Sequence, residues 1–394
     1  MKSLKFALIY ASSLVISSAQ ASDNPLVLLE ELQTPALSKV LENPAKYQAQ
    51  IIYTQVNRDT AGGLLSLKAF QYNVDPTRYF YPASTVKLPA AILAVEFLNE
   101  VEGYKDLSLE TEYTLSGPAL ERIYPNLDER TSSLSKDIEK IAVVSDNMAY
   151  NRLYDFLSPD YIEERIFELT SSRPRFSHRL AIFLPPELNR KTLAFNFAST
   201  PPFILEAKEL GLRSYDPSQT IGLGYISRGE LVNKPFSIHQ RNFIPLETLH
   251  KTILGLVLGD EEPNLPQFKI TPNQRADLID TFSMLPRESN RISDTDQKLP
   301  DNYAKFLIYG DRPDVQIPDT LRIINKIGQA YGFLSDTAYV IDEASGVEFA
   351  LSATIFVNEN LIFNDNNYEY DTIGFPFLGE LGRFILEFEK KRRD

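Results

Sequence analysis

Tyr79-Phe80-Tyr81-Pro82-Ala83-Ser84-Thr85-Val86-Lys87-Leu88-Pro89-Ala90-Ala91-Ile92-Leu93 is the stretch from which the fold of this chain is read. At its centre stands Ser84-x-x-Lys87. A helix that begins just after Pro82 puts residues three apart on one face, about one turn from each other, so the Lys87 ammonium lies beside the Ser84 hydroxyl. A serine hydroxyl is a poor nucleophile until a base takes its proton, and a lysine discharged by burial or by neighbouring cations is such a base. The unpaired N–H groups of a first helical turn add donors for an oxyanion. The competing reading of Ser84 is a helix N-cap. Ser133-Leu134-Ser135-Lys136 repeats the spacing in a polar run. One or two such matches are expected by chance in a chain of about this length, so context has to separate the two.

Two further motifs supply that context. Val143-Val144-Ser145-Asp146-Asn147 follows Ser84, and Asn325-Lys326-Ile327-Gly328 comes near the C-terminus. Ser-x-x-Lys, then Ser-Asp-Asn, then Lys-Thr-Gly is the ordered signature of class A β-lactamases and penicillin-binding proteins. The chain carries all three in that order, with Ile327 where the threonine stands. Gln329-Ala330-Tyr331-Gly332, followed by Asp336 and Ala338, resembles the family's turn and following strand. The chain therefore resembles a serine hydrolase of the class A β-lactamase-like and penicillin-binding-protein-like family over most of its length.

The resemblance implies a role for each matching residue. Ser84 would be the nucleophile and Lys87 its base or proton relay. The N–H groups of Ser84 and Gln329, the latter following Gly328, would form the oxyanion hole. Ser145 would pass a proton to the leaving nitrogen, Asn147 would hold the substrate amide, and Lys326 would supply positive charge for a substrate carboxylate. Two departures stand out. Ile327 removes a hydroxyl whose charge-assisted hydrogen bond is worth about 1.5–3 kcal/mol. The family's Glu-x-x-Leu-Asn loop is met only in part by Pro185-Pro186-Glu187-Leu188-Asn189. Alignment on Leu188-Asn189 puts Pro185 where the water-activating carboxylate belongs, and a shifted alignment makes Glu187 the base.

The start of the chain reads as a secretory signal peptide over residues 1–21. It has a basic Met1–Lys5, an apolar Phe6–Ile16 too short to span a bilayer, and a small-x-small Ala19-Gln20-Ala21 before Ser22. That predicts a periplasmic or secreted mature chain without a membrane span. The formal charge is −13, which argues against nucleic acid as a partner and leaves a small-molecule or cell-wall peptide substrate. There is no cysteine and only His178, His239 and His250. No metal-ligand cluster stands out, no cofactor is implied, and the histidines read as structural or surface residues.

The expected fold class is α+β: a β-lactamase-like, about five-stranded antiparallel sheet flanked by terminal helices, beside a mainly helical lobe over residues 83–320. Ile51–Val56 and Leu64–Phe70 read as a hairpin, and 84–99 and 136–157 as helices, the second turning or kinking at Ser145-Asp146-Asn147. Ile323–Ile327, Thr337–Asp342 and Val347–Val357 read as strands, and Pro376–Lys391 as the last helix. Ser145 and Lys326 are 181 residues apart, which is wider than the family spacing and predicts insertions at about 191–241 and 286–318. Three functions fit these residues. They are hydrolysis of a β-lactam or related amide or ester, penicillin-binding-protein-like action on cell-wall peptides with slow deacylation, and a non-catalytic periplasmic scaffold.

Overall fold

The computed structural model describes residues 24–31, 34–100 and 107–393; the expected signal segment lies outside them. The chain forms an antiparallel five-stranded sheet from its two ends. β1 (Gln50–Arg58) and β2 (Leu64–Tyr72) come from the N-terminal part, and β3 (Leu321–Ala330), β4 (Phe333–Asp342) and β5 (Val347–Phe356) from the C-terminal part, in the order β3-β4-β5-β1-β2. Successive strand side chains point to opposite faces, so each strand feeds two apolar layers. Ile51, Tyr53, Ile323 and Val340 pack with Leu37 and Val40 of Pro35–Leu41 and with Phe377, Leu381 and Ile385. Ile52, Ile324, Tyr339 and Ala350 pack against the helical side instead.

Among the helices that bear on the site or back the sheet are α1 (Lys87–Glu100), α2 (Leu134–Val144), α3 (Asn147–Leu157), α4 (Leu246–Leu258) and the C-terminal α5 (Phe375–Arg393). Most of α1 is buried, which explains its near-continuous run of apolar residues from Leu88 to Val95. α4 lies on the sheet, where the His250 ring hydrogen-bonds the hydroxyls of Thr54 and Ser352, each at 2.8 Å. Burial pushes that imidazole down to about 3, so it is a neutral structural residue.

The turn or kink expected at Ser145-Asp146-Asn147 within 136–157 is a full break at Ser145-Asp146 between α2 and α3. Another expectation needs correction. The region expected as mainly helical also carries three small sheets, one of them the pair Thr220–Ile221 and Phe236–Ser237. Ala194–Phe197 and Phe203–Leu205 extend a sheet begun by Glu112–Ser116 and Thr131–Ser133, while Gly224–Ser227 pairs with Glu230–Val232 and, in parallel, with Ile362–Phe363. Strands of two to five residues are too short for their alternation to stand out in the sequence. The 286–318 segment consists of short turns and contributes a buried lysine, Lys305, whose Nζ donates to Phe282 O (2.9 Å), Ile323 O (2.7 Å) and Asn325 Oδ1 (2.8 Å).

β3 is an edge strand, and its free edge meets the turn that bears Ser84. The contact is close at Gly328, where an added Cβ would come 2.4 Å from Pro82 O and 3.0 Å from Thr85 Cγ2. Pro82 O cannot yield easily, because it already accepts from Thr85 N (3.0 Å) and Thr85 Oγ1 (2.7 Å). Replacing Gly328 by alanine should therefore force strand and turn apart and cost about 1–3 kcal/mol. Urea denaturation of Gly328→Ala measures this; an unchanged midpoint would show that the edge accommodates a methyl group.

Candidate active site

Ser84 occupies the tight turn Ala83–Val86, which runs directly into α1 at Lys87. In a turn of three residues per repeat, positions i and i+3 eclipse, which aligns Ser84 with Lys87. Pro82 caps the turn, so Ser84 is inside it and is not the cap. Ser133, the alternative match, is a true N-cap of α2 and accepts from Lys136 N. Ala83 has φ +46°, a left-handed conformation that costs a non-glycine residue about 1–2 kcal/mol. That strain sits next to the half-buried Ser84, which opens onto a cleft of about 540 Å³.

Ser145 and Asn147 reach the same place because α2 ends there. Ser145 takes the left-handed conformation (φ 55°, ψ 38°), with the Asp146 N–H turning back to Lys140 O at 3.1 Å. Asp146 then caps α3 by accepting from Ala149 N at 2.7 Å. This break directs three acceptors at one ammonium: Lys87 Nζ donates to the carbonyl oxygen of Ser145, to Ser145 Oγ (3.2 Å) and to Asn147 Oδ1 (2.8 Å). Lys326 approaches from β3 and donates to the same Ser145 Oγ at 2.9 Å and to Ile327 O at 3.4 Å. One hydroxyl oxygen thus receives two lysines and keeps its own proton for a third partner.

Both lysines are buried, with exposures of 0% for Lys87 and 1% for Lys326. Desolvation first, and the neighbouring Lys326 second, hold Lys87 well below the ordinary lysine range, opposed by Asp146. Desolvation pushes Lys326 down to about 7, with the Asp336 carboxylate acting in the opposite direction. Asp336 is itself buried, accepting from Asn325 Nδ2 (2.8 Å) and from the N–H groups of Phe306 (3.1 Å) and Leu307 (3.0 Å). A neutral Lys87 can accept a proton, while its remaining N–H bonds still satisfy Asn147 and the Ser145 carbonyl.

The oxyanion donors follow from strand register. The two-residue turn Tyr331-Gly332, both at positive φ (56° and 83°), closes β3 onto β4 at Ala330↔Phe333. Antiparallel partners alternate between hydrogen-bonded and non-hydrogen-bonded pairs. Ala330 and Gly328 therefore bond to β4, and Gln329 turns its N–H out of the edge. Gln329 lines the cleft together with Ser84 and Asn147.

Not every expected residue converges. Glu187 is exposed on the short helix Pro186–Asn189 and does not line the cleft around Ser84. Asn189 is buried and holds backbone, its Oδ1 accepting from Arg179 N (3.2 Å) and its Nδ2 donating to Leu184 O (3.2 Å). Ile327 packs into the apolar layer beneath the terminal helices. The motifs also did not point to the cleft's aromatic side. Tyr81, Tyr331, Tyr368 and Tyr370 line it with Asn364 and Asn366; in the sequence, only a composition of 20 tyrosines and 24 phenylalanines leaves room for such a wall. Among the described residues no group of histidines and carboxylates is placed to hold a metal.

Comparison with known proteins bears on the fold. Residues 36–202 match the family model described as the beta-lactamase enzyme family, a span that includes Ser84, Lys87, Ser145 and Asn147 and stops short of Lys326. Among solved structures, a class A beta-lactamase from Mycobacterium abscessus superposes with a TM-score of 0.51 at 13% identity, covering 89% of this chain and 98% of that one. An ancestral class A beta-lactamase gives 0.50 at 14% identity, covering 91% and 99%. The beta-lactamase from Desulfarculus baarsii DSM 2075 gives 0.50 at 14%, covering 89% and 94%. At such identities the likeness concerns the fold alone. No curated protein matches the sequence.

Two outcomes follow from the shared serine and the paired lysines. Ser145→Gly keeps the left-handed backbone but removes Oγ, and should slow acylation of Ser84 by about 10²–10⁴-fold while leaving the far-ultraviolet circular dichroism spectrum unchanged. Acylation at the original rate would exclude Ser145 from proton transfer. Protonation removes the base, so the rate should fall as pH drops through the depressed pKa of Lys87 and level off well below pH 10.5. Lys326→Met deletes a neighbour that lowers Lys87, so that acidic limb should move to higher pH; a limb that stays put would show the two lysines to be uncoupled.

Proposed function

We propose that the chain is a β-lactamase-like serine hydrolase, an exported acyl-enzyme-forming enzyme acting on an amide or ester carbonyl, with Ser84 as nucleophile. The observation that carries this reading is the convergence of buried Lys87, Ser145 Oγ and Asn147 Oδ1 beside Ser84. Neutral Lys87 takes the proton of Ser84 as Oγ bonds to the substrate carbonyl carbon. The developing oxyanion is met by the N–H groups of Ser84 and Gln329. Ser145 then gives its proton to the leaving nitrogen as the C–N bond breaks, and recovers one from the Lys87 ammonium along their hydrogen bond. Lys326 polarises the same hydroxyl.

The second half-reaction decides between β-lactam hydrolysis and cell-wall peptidase chemistry. Among the described residues none that lines the cleft bears a carboxylate, and Glu187 stands apart from it. This supports slow deacylation, with Lys87 left to take the proton of the attacking water, and favours the peptidase-like reading over efficient β-lactam turnover. Residues 1–21 would direct the chain to the periplasm, where such a substrate is found.

Incubation with a penicillin and with a chromogenic cephalosporin, read by intact-mass spectrometry and product release, tests the proposal. The expected result is a long-lived adduct that Ser84→Ala abolishes, on a chain whose mass starts at Ser22 when recovered from the periplasm. Rapid turnover would overturn slow deacylation and restore the β-lactamase reading. Absence of any Ser84-dependent adduct, with these compounds and with activated esters, would reject the acyl-enzyme.

A further inference from the structure

The cleft has two unlike sides. Behind Ser84 lie Ser145, Lys87 and Lys326, which receive the leaving group. The acyl part of a substrate must therefore extend through the open side, along Tyr81 and Tyr331 and beneath the segment that follows β5, where Asn364, Asn366, Tyr368 and Tyr370 form a rim. These six side chains are all uncharged. The phenol oxygens of Tyr368 and Tyr370 accept the N–H groups of Asn364 and Gly332, both at 2.8 Å, so each hydroxyl proton remains for another acceptor. Burial keeps the phenols protonated, pushing Tyr368 up to about 12 and Tyr370 higher. The surrounding segment 358–371 contains Glu359, Asp365, Glu369 and Asp371 and no lysine or arginine. Neutral dipoles in an acidic frame can satisfy amides and hydroxyls, but give a carboxylate entering from water no cation in exchange for its hydration.

The rim is held by the 191–241 insertion. Ile362-Phe363 runs parallel to Gly224-Tyr225 and pairs with it. Phe236 stacks on Phe363 (5.0 Å between ring centres, 6° between planes) and tilts against Tyr331 at 5.4 Å. The nearby guanidinium, Arg241, packs over the rings of Phe236 (5.0 Å) and Tyr331 (5.7 Å) and lines a neighbouring pocket with His178 and Arg213, outside the cleft.

We infer that the inserted strands and Phe236 hold the Asn364–Tyr370 rim over Ser84 as a specificity device, and that the rim selects acyl donors uncharged on the acyl side, of neutral N-acyl-peptide character, against donors that carry a carboxylate there. This rests on the acyl-enzyme reading of Ser84. Phe236 is a positioning residue, while the rim side chains touch the substrate.

Acylation rates with matched p-nitrophenyl esters, neutral N-acetylglycyl and anionic succinyl, test the inference alongside labelling by a small uncharged fluorophosphonate. The neutral ester should acylate the full chain at least about tenfold faster. Phe236→Ala should bring that ratio towards one while fluorophosphonate labelling stays within about twofold, a separation that general loss of structure would not produce. Asn366→Arg, on the exposed rim, should accelerate the succinyl ester specifically and serves independently should Phe236→Ala fold poorly. Equal rates or a succinyl preference in the unmodified chain would overturn the inference, as would an unchanged ratio in both variants. Loss of Ser84-dependent fluorophosphonate labelling would instead reject the acyl-enzyme reading beneath it.

Discussion

Two buried lysines directed at a single serine oxygen set the terms for the rest of the site. Lys87 and Lys326 both donate to Ser145 Oγ, and neither has a carboxylate in contact. A fully solvated lysine would remain charged and useless as a base. Dehydration together with a like charge nearby makes the neutral form accessible instead. The cost of burying them is borne by the fold, through Asp336 under β3 and the backbone carbonyls and amides that converge on the pair. Such unfavourable electrostatics persist only where packing leaves no alternative, and both lysines lie on elements locked into the two apolar layers.

The edge of β3 links this electrostatic arrangement to Ser84. Because Gly328 brings the strand against Pro82 O, the strand that delivers Lys326 also presents the outward N–H of Gln329 next to Ser84. The left-handed residues Ala83 and Ser145 are the corresponding backbone adjustments on the helical side. Strain is concentrated at the two positions where chain direction has to change for side chains to meet, which is where a functional site commonly stores it.

Insertions serve the site from opposite directions. The 286–318 segment places Lys305 beneath β3, where it bonds Asn325, which in turn bonds Asp336. The 191–241 segment supports the aromatic rim above Ser84. Both segments thus buttress the site as well as forming surface loops, and Pro185 and Ile327 accompany a cleft whose wall is made of tyrosine and asparagine.

Local patterns in the sequence determined the reactive set and the main elements. Ser84 and Lys87 are linked by helical spacing, and Ser145 and Asn147 flank a cap residue. β3, β4 and β5 show as apolar runs interrupted by turn residues; the structure extends the first two by a few residues and ends the third at Phe356. Such features depend on neighbours within one or two turns, which is why they can be read from the chain alone. Glu187 illustrates the limit: a short Leu-Asn match suggested a base, but the loop's path leaves that carboxylate exposed. The shared hydrogen bonds on Ser145 join residues 58 and 181 positions apart, and the tyrosines lining the cleft are gathered from three separate segments. Only the tertiary structure decided which lysines lose their water, which oxygen they share and which wall faces the substrate, because dielectric environment and distance are set by packing between segments remote in sequence.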